Sequence, residues 1–234
     1  MRLIFPCAGL GTRTQDYFRE PKPFISIQDK TLVEMAAARM PWDQVSEVIY
    51  VFNEIHAAWL TNDLIDNLRK LSPEKCRFST LFTSTTSGQA ETVAKALETC
   101  EDLSLPLLVG NCDTLVAGPW PDFHQATPSS LGLFSSSEPS FSYARIVKNR
   151  VVETAEKKVI SNYASSGIYF FNSSSEFLRL LAESSPQVES FIAPLYNSLI
   201  ATGDAVSYWM HEKVTPLGTS SEIRSYLHSE GGAN

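Results

Sequence analysis

The sequence is poor in basic residues and contains no long apolar run. Its 234 residues include 19 lysines and arginines against 26 aspartates and glutamates, so the formal net charge is −7. Nucleic-acid binders usually carry a basic surface, and this balance therefore disfavours a polynucleotide partner. No apolar stretch approaches the roughly 20 residues that cross a bilayer, so no membrane association is expected. An acidic protein can still bind phosphate where its few cations are concentrated.

The sequence also lacks the cysteine spacing of a zinc site or a disulfide framework. Its four cysteines are widely separated: Cys7, Cys76, Cys100 and Cys112. Reduced thiols fit a cytosolic protein. The chain reaches Pro6 too early to contain the apolar core of a signal peptide, so residues 1–5 are predicted to begin a strand. The cytoplasm is therefore the expected location.

Apolar runs alternate with helical periodicity in the first half of the chain. Strands are predicted over residues 3–7, 45–52, 78–82 and 105–109. A capping box of Thr31 and Glu34 is predicted to open the first helix. Further helices are predicted over residues 59–68 and 88–99. This alternation predicts an α/β fold, with a parallel or mostly parallel sheet and helices on both faces.

The second half of the chain has a different pattern. A hairpin is predicted from strands over residues 143–148 and 151–153. The other predicted elements are a strand over 164–171, a helix opened by a capping box of Ser173 and Glu176, a helix over 187–202 disturbed at Pro194, a last strand over 205–210 and a final helix capped by Thr219 and Glu222. Residues 127–142 are rich in Ser and Pro and are predicted to contain surface loop. Because no repeat or boundary interrupts the chain, residues 1–234 are predicted to form a single domain.

A glycine-rich turn follows the first predicted strand, and a proline-flanked lysine follows the turn. The turn consists of Ala8, Gly9, Leu10, Gly11, Thr12 and Arg13, and the second segment of Pro21, Lys22 and Pro23. Glycines let the backbone approach an anion, and successive N–H groups can cradle phosphate oxygens. Arg13 offers phosphate a planar fork and Lys22 a point charge. Both cations are expected at the carboxyl end of the first strand, where open α/β sheets bind ligands.

The turn differs from two familiar phosphate-binding loops. A Walker A loop requires G-x-x-x-x-G-K-[ST], which does not follow Gly9 or Gly11. A dinucleotide fingerprint requires a small third residue where Thr14 stands. A tight turn with two solvated cations is the alternative interpretation of these residues.

The combination resembles the sugar-nucleotide pyrophosphorylase family of nucleotidyltransferases, whose signature reads approximately G-x-G-T-R followed by P-K-P. The resemblance implies a GT-A-type, Rossmann-like three-layer α/β/α fold with a mixed, mostly parallel sheet. It also implies a nucleotide-binding N-terminal half and an acceptor-binding C-terminal half that contains a small β-hairpin. The implied reaction is attack by a sugar 1-phosphate on the α-phosphate of a nucleoside triphosphate (NTP), with release of pyrophosphate.

The resemblance assigns further residues to the nucleotide. Gly88 would let the base approach the start of a helix, and Gln89 would hydrogen-bond an exocyclic group. Asn111 would complete a nucleotide-binding set that otherwise comes from the first motif: Ala8, Gly9, Leu10, Gly11, Thr12, Arg13 and Lys22. An ordinary helix start, with Gly88 as its N-cap, is the alternative.

A metal-binding carboxylate is implied after the fourth predicted strand. The segment Asn111-Cys112-Asp113 resembles the family's N-G-D, from which Cys112 departs, and Asp113 would hold Mg²⁺. A second carboxylate is expected where Pro216 stands, so Glu212, the nearest upstream carboxylate, is predicted as the second ligand. A site with one carboxylate, completed by waters and phosphates, is also acceptable for Mg²⁺.

The acceptor site implied by the resemblance comes from the second half of the chain. Its predicted members are Ala144, Glu156, Lys157, Ser166 and Gly167. Glu156 would bind sugar hydroxyls and Lys157 the acceptor phosphate, with Lys158 as a second candidate for that role. Ala144 stands where many relatives carry glycine, which leaves the orientation of a hexose open. A solvated Glu-Lys pair is the alternative interpretation of Glu156 and Lys157.

Catalysis is predicted to depend on Arg13, Lys22 and Asp113, which would position and neutralise phosphates. Two other functions stay open. A cytidylyltransferase that acts on phosphocholine or another non-sugar phosphate shares this layout. A catalytically silent nucleotide-sensing subunit would account for the carboxylate missing at Pro216. The nucleobase and the number of subunits, homo-oligomers included, also stay open.

Overall fold

The computed structural model describes residues 1–124, 128–184 and 189–231. The strands within these ranges are β1 (Arg2–Cys7), β2 (Ser26–Ile27), β3 (Lys30–Thr31), β4 (Glu47–Asn53), β5 (Arg77–Thr83), β6 (Leu107–Val109), β7 (Thr114–Ala117), β8 (Ser130–Ser135), β9 (Tyr143–Val147), β10 (Arg150–Ala155), β11 (Tyr163–Phe171), β12 (Ser207–Met210) and β13 (Lys213–Pro216). The helices are α1 (Leu32–Ala37), α2 (Asn62–Leu71), α3 (Gln89–Leu97), α4 (Ser174–Glu183), α5 (Tyr196–Thr202) and α6 (Ser220–Gly231). None of these helices is long and apolar enough to span a bilayer.

The main sheet is mixed, and its N-terminal part is parallel. Its strands run in the order β10-β9-β11-β6-β1-β4-β5, and β8 and β12 extend it from β11. β6, β1, β4 and β5 are parallel, with Ile4 opposite both Val109 and Ile49. β11 runs antiparallel to β6, β8 and β9. The predicted α/β fold with a mixed, mostly parallel sheet is confirmed.

Two apolar cores cover the two faces of this sheet. β1 contributes to both, because successive side chains of a strand point to opposite faces. Ile4 lies in one core with residues of α3, α4 and α5. Leu3 and Phe5 lie in the other core with residues of α1 and α2. The sheet is therefore the middle of three layers, which explains why all six residues of β1 are buried.

Two of the predicted capping boxes are complete. The N–H of Thr31 donates to Glu34 Oε2 at 2.7 Å, and the N–H of Glu34 donates to Thr31 Oγ1 at 3.4 Å, at the start of α1. The N–H of Thr219 donates to Glu222 Oε2 at 2.8 Å, and the N–H of Glu222 donates to Thr219 Oγ1 at 3.3 Å, at the start of α6. Such boxes satisfy amide groups that a helix leaves unpaired at its first turn.

The third predicted box, at the start of α4, is only half formed. Ser173 Oγ accepts the N–H of Glu176 at 3.0 Å. The Glu176 carboxylate instead accepts the N–H of Asn172 at 3.2 Å and the hydroxyl of Ser129. The predicted start of α4 is confirmed. The Glu176 carboxylate does not accept the N–H of Ser173, however, because it bonds to Ser129 beside β8 and to Asn172 instead.

The predicted hairpin is confirmed as β9 and β10. Lys148 and Asn149 have φ values of +49° and +61°, the left-handed pair that a two-residue hairpin turn requires. The surface loop predicted within 127–142 is found over residues 136–142, but the same stretch also contains an unpredicted strand, β8, which pairs with both β11 and β12. Residue 127 lies outside the described residues. The Ser and Pro residues on both sides of β8 are typical of loops, so the sequence does not indicate a strand there. Its strand conformation is evident only from its pairing with β11 and β12.

Two helices begin later than predicted, and the structure adds a strand after the last one predicted. α2 begins after its N-cap Thr61, so the helix does not include Trp59, which lies in a 3₁₀ turn. α5 begins at Tyr196, after a 3₁₀ turn over Ala193–Leu195 that contains Pro194, and residues 187–188 lie outside the described residues. β12 is not the last strand, because β13 follows it and pairs with β7.

His211 follows β12 and should make stability depend on pH. It is 5% exposed, its Nδ1 has no hydrogen-bond partner among the described residues, and Trp209 Nε1 donates to its Nε2 at 3.1 Å. Burial lowers the pKa of His211 to about 4. The unfolded chain therefore binds a proton more readily than the folded protein, and stability falls as the pH drops below about 6.5.

We expect this group to lower the free energy of unfolding by about 1–2 kcal/mol between pH 7.5 and pH 5. Urea unfolding at both pH values measures the drop. His211→Gln keeps an acceptor for Trp209 and should reduce the drop, whereas His228→Gln, on exposed helix surface, should not. An equal drop in His211→Gln and the wild type would contradict the prediction.

Candidate active site

A cavity of about 850 Å³ opens at the carboxyl ends of β1, β5 and β6. This is the edge at which open α/β sheets bind ligands. The predicted site residues that line it are Ala8, Gly9, Leu10, Gly11, Thr12, Arg13, Lys22, Gly88, Gln89, Asn111, Asp113, Glu156, Lys157, Ser166 and Gly167. Residues predicted for the nucleotide and for the acceptor therefore share one cavity.

The glycine-rich turn lies against the proline-flanked lysine. Gly11 is left-handed, with φ +68°, and a Cβ on it would lie 3.0 Å from Lys22 Cβ. Thr14 closes the turn by donating its hydroxyl to the carbonyl of Gly11 at 2.8 Å. The buried amide of Asn53, at the end of β4, donates to the carbonyl of Ala8 at 3.0 Å. Residues 8–13, which form the turn, line the cavity.

Lys22 and Asp113 form an ion pair on the floor of the cavity. Lys22 Nζ lies 2.5 Å from Asp113 Oδ2, and their side chains are 15% and 13% exposed. Burial alone would raise the pKa of Asp113, but the Lys22 ammonium holds it below its usual value. Burial alone would lower the pKa of Lys22, but the carboxylate of Asp113 raises it. Both groups therefore stay charged at neutral pH.

The start of α3 is held by a segment of the C-terminal half. The N–H of Ala90 donates to the carbonyl of Ser190 at 2.9 Å, and the N–H of Ser190 donates to the carbonyl of Ser87 at 3.0 Å. A Cβ on Gly88 would lie 2.6 Å from the carbonyl oxygen of Ser190, so only glycine permits this approach. Gly88 is the N-cap, as the alternative interpretation has it, and it also lines the cavity.

Asn111 is held from both halves of the chain. Gln89 Nε2 donates to Asn111 Oδ1. Gly167 is left-handed, with φ +78°, and a Cβ on it would lie only 1.9 Å from Asn111 Nδ2. The register of β11 against β8 shifts between Ser165 and Tyr169, around this glycine. Asn111 therefore occupies space that exists because residue 167 has no side chain.

Glu156 and Lys157 lie at the other end of the cavity. Burial raises the pKa of Glu156, whose carboxylate accepts a hydrogen bond from Ser142. Lys157 Nζ lies 3.3 Å from Glu189 Oε2 and 4.5 Å from the ring centroid of Phe191. Lys157 lines the cavity, whereas Lys158 is exposed outside it. Lys157 is therefore the better candidate of the two.

Comparison with known proteins identifies the family. Residues 8–224 match the family model described as Nucleotidyl transferase. The chain belongs to this family. It is similar to the nucleoside-diphosphate-sugar pyrophosphorylase from Vibrio cholerae RC9, with 25% identity and a TM-score of 0.83, over 97% of this chain and 99% of that one. No curated protein sequence matches the chain.

Two more distant structures share the fold. A UDP-glucose pyrophosphorylase complexed with UDP-glucose has 17% identity and a TM-score of 0.80, over 100% of this chain and 99% of that one. The inositol-1-phosphate CTP transferase from T. maritima has 16% identity and a TM-score of 0.70, over 100% and 96%. The family match and the Vibrio structure make this chain a nucleotidyl transferase of the sugar-nucleotide pyrophosphorylase type.

Two predicted site residues of this nucleotidyl transferase lie outside the cavity. Ala144 is buried in β9 among core residues. Glu212 precedes β13, and its N–H donates to the carbonyl of Ala117 at 2.9 Å. Pro216, at the other end of β13, is the residue opposite Thr114. Glu212 is thus four strand positions from Pro216, roughly 13 Å away, and its position gives no support to the predicted metal role.

Among the polar residues that the sequence predictions missed, one supports the nucleotidyl transferase site from behind and one lines it. Asn53 anchors the glycine-rich turn from a neighbouring strand, and its position after a buried strand was a signal for this role. Glu222 lines the cavity, although the sequence assigns it only to a capping box. Such a box turns the carboxylate back toward the start of its helix. Because α6 begins shortly after β13, beside the cavity, the Glu222 carboxylate lies in the cavity wall.

Gly167 should be far less tolerant of alanine than a comparable glycine elsewhere. Gly203 is also left-handed, with φ +86°, but a Cβ on it would meet nothing within 4 Å. We expect Gly203→Ala to cost about 1 kcal/mol of stability, from backbone strain alone. Gly167→Ala should cost at least about 1 kcal/mol more, because its Cβ also displaces Asn111. Urea unfolding compares the two variants, and equal losses would show that Asn111 does not need this space.

Proposed function

We propose that this nucleotidyl transferase transfers a nucleoside monophosphate from an NTP to a sugar 1-phosphate and releases pyrophosphate. The observation that carries the proposal is the order of charges along one cavity. Arg13 and Lys22 lie at the glycine-rich turn, Asp113 beside them, and Lys157 with Glu156 at the far end. The Vibrio structure, described as a nucleoside-diphosphate-sugar pyrophosphorylase, supports the same substrate class.

The proposed nucleotide end consists of the glycine-rich turn, Lys22 and the start of α3. The N–H groups of the turn and the Arg13 guanidinium would bind the triphosphate and the developing pyrophosphate. Lys22 would bind the α-phosphate. The negative charge of the incoming triphosphate would draw the Lys22 ammonium away from Asp113. Gln89 and the backbone at Gly88 would contact the base, with Asn111 beneath them.

The proposed acceptor end consists of Glu156, Lys157, Ser166 and Gly167. Lys157 would bind the acceptor phosphate, and Glu156 would accept hydrogen bonds from sugar hydroxyls. The attacking phosphate oxygen is already ionised at neutral pH, so no general base is required. Catalysis would come from in-line positioning of two anions and from neutralisation of their charge.

Mg²⁺ fits the residues around Asp113. A carboxylate is the ligand that Mg²⁺ prefers, and the Lys22 ammonium already places a positive charge against it. Among the described residues no group of three or more potential ligands surrounds a metal position, so waters and phosphates would complete the shell. When bound, Mg²⁺ would offset the negative charge of the phosphates. We extend the proposal to residues 1–234 acting as one cytoplasmic domain.

A cytidylyltransferase acting on phosphocholine is the second candidate function. Three phenylalanines line the acceptor end: Phe134, Phe141 and Phe191. Aromatic faces attract quaternary ammonium groups, and Glu156 and Glu189 add negative charge beside them. A bound ammonium would thus be as well accommodated as a sugar ring.

Pyrophosphate release from purified protein tests both candidates. The assay combines Mg²⁺, each of the four NTPs or dTTP, and a panel of sugar 1-phosphates with phosphocholine. Release that requires one NTP and one sugar 1-phosphate supports the proposal, and release with CTP and phosphocholine supports the second candidate. NTP binding by calorimetry without any release would favour a nucleotide-sensing subunit, and absence of NTP binding would refute all three.

Lys22→Ala should lower turnover about 100–1,000-fold, because it removes a charge that acts on the transferred phosphate. Thermal unfolding should accompany the assay, since the substitution leaves Asp113 without its ion-pair partner. Lys30→Ala, on an exposed strand, is the matched control and should keep wild-type turnover. Wild-type turnover in Lys22→Ala would remove Lys22 from the mechanism.

Lys157→Gln should separate the two substrates kinetically. We expect the acceptor kcat/KM to fall about 10- to 100-fold, because a charge-assisted contact with phosphate is lost, while the KM for NTP stays unchanged. Lys158→Gln changes the neighbouring lysine outside the cavity and should leave both values near wild type. If Lys158→Gln produced the larger effect, the acceptor phosphate would have been assigned to the wrong lysine.

A further inference from the structure

Gly218 lies among three charged side chains in the cavity. A Cβ on Gly218 would lie 3.3 Å from Asp113 Oδ2, 3.6 Å from Glu222 Oε2 and 3.7 Å from Arg13 Nη2. Because Asp113 Oδ2 and Glu222 Oε2 lie 3.3 Å and 3.6 Å from this one position, the two oxygens are at most about 7 Å apart. A side chain at position 218 would therefore contact both carboxylates and the Arg13 guanidinium, and glycine leaves that position unfilled.

Glu222 keeps coordinating capacity after forming its capping box. Its Oε2 accepts the N–H of Thr219 at 2.8 Å and the Thr219 hydroxyl at 2.9 Å. Within the described part of the chain, Oε1 of Glu222 accepts no hydrogen bond and forms no ion pair. The side chain is half-buried and lines the cavity. The capping box therefore orients the carboxylate and leaves one of its oxygens available.

The other complete capping box shows that this arrangement does not follow from capping alone. Glu34 accepts the same pair of bonds from Thr31, but its second oxygen accepts Asn67 Nδ2 at 3.0 Å. Glu34 is buried and is not part of the cavity wall. The two glutamates thus share one capping function, but only the Glu222 carboxylate lies near Asp113, and only Glu222 keeps its second oxygen, Oε1, free of hydrogen bonds within the described residues.

We propose that Glu222 is the second carboxylate ligand of the divalent cation and acts together with Asp113. It replaces the carboxylate that the sequence lacks at Pro216, and Gly218 leaves the room for the cation. One or two carboxylates, with phosphates and waters, are the usual protein ligands of Mg²⁺. The inference rests on the proposed metal-dependent transfer at this cavity.

Binding of Mn²⁺ to the full chain, without nucleotide, tests the assignment. Electron paramagnetic resonance measures the free Mn²⁺ during titration and yields the Kd. Glu222→Gln preserves both capping bonds but removes the charge, so it should weaken Mn²⁺ binding at least about 5-fold with little change in Tm. Asp113→Asn should weaken binding similarly.

Two glutamine variants serve as controls. Glu34→Gln makes the same change in the matched capping box, and Glu212→Gln changes the carboxylate that lies beyond β13. Both should bind Mn²⁺ with wild-type affinity. Gly218→Ala fills the space between the carboxylates without a left-handed backbone, and it should weaken Mn²⁺ binding while the protein stays folded.

Wild-type Mn²⁺ affinity in Glu222→Gln, or no Mn²⁺ binding by the wild type, would overturn the assignment. Weakening by Glu212→Gln but not by Glu222→Gln would also overturn it. The pyrophosphate assay is independent of this titration. Loss of Mn²⁺ binding in Glu222→Gln together with an inactive wild type would refute the proposed transfer but keep the metal site. An active wild type with unchanged Mn²⁺ binding in Glu222→Gln would support the proposed transfer but refute Glu222 as a metal ligand.

Discussion

The buried ion pair between Lys22 and Asp113 is the interaction on which the rest of the site depends. It joins two segments 91 positions apart, with 2.5 Å between Nζ and Oδ2. Either charge alone would be costly at this depth, because it would be removed from water without compensation. The pair therefore holds the proline-flanked lysine against the turn after β6. Gly11 lies against Lys22, so the groups proposed to bind phosphate and the carboxylate proposed to bind the metal are adjacent.

The second constraint is that neither half of the chain builds its end of the cavity alone. The Asn111 side chain accepts a hydrogen bond from Gln89 on one side. On the other side it packs against Gly167, where any side chain would collide with it. The backbone of Ser190 holds the start of α3, although α3 belongs to the nucleotide half. The same segment carries Glu189, which pairs with Lys157 at the acceptor end. The residues proposed for the nucleotide and those proposed for the acceptor are consequently positioned by shared contacts, which is what the proposed transfer between two bound anions requires.

Local features of the chain were predictable, and features that depend on distant partners were not. β1, the glycine-rich turn and two capping boxes follow from residues within a few positions of each other. β8 escaped prediction because Ser and Pro surround it and its identity comes from pairing with β11 and β12. In sequence, Glu212 is the upstream carboxylate nearest to Pro216. The extended strand β13 separates Glu212 from Asp113, whereas the first turn of α6 places Glu222 near Asp113.

The amino-acid sequence is enough to predict the class of fold, the glycine-rich turn and the chemical types of residue that line the cavity. Those properties arise from apolar periodicity, glycine and proline conformations, and the charges of a few side chains. Three features follow only from the packing of the folded chain: the carboxylate that lies near Asp113, the lysine that lines the cavity and the need for glycine at position 167. These depend on distances across strands and between halves of the chain, and such distances have no counterpart in the linear order of residues.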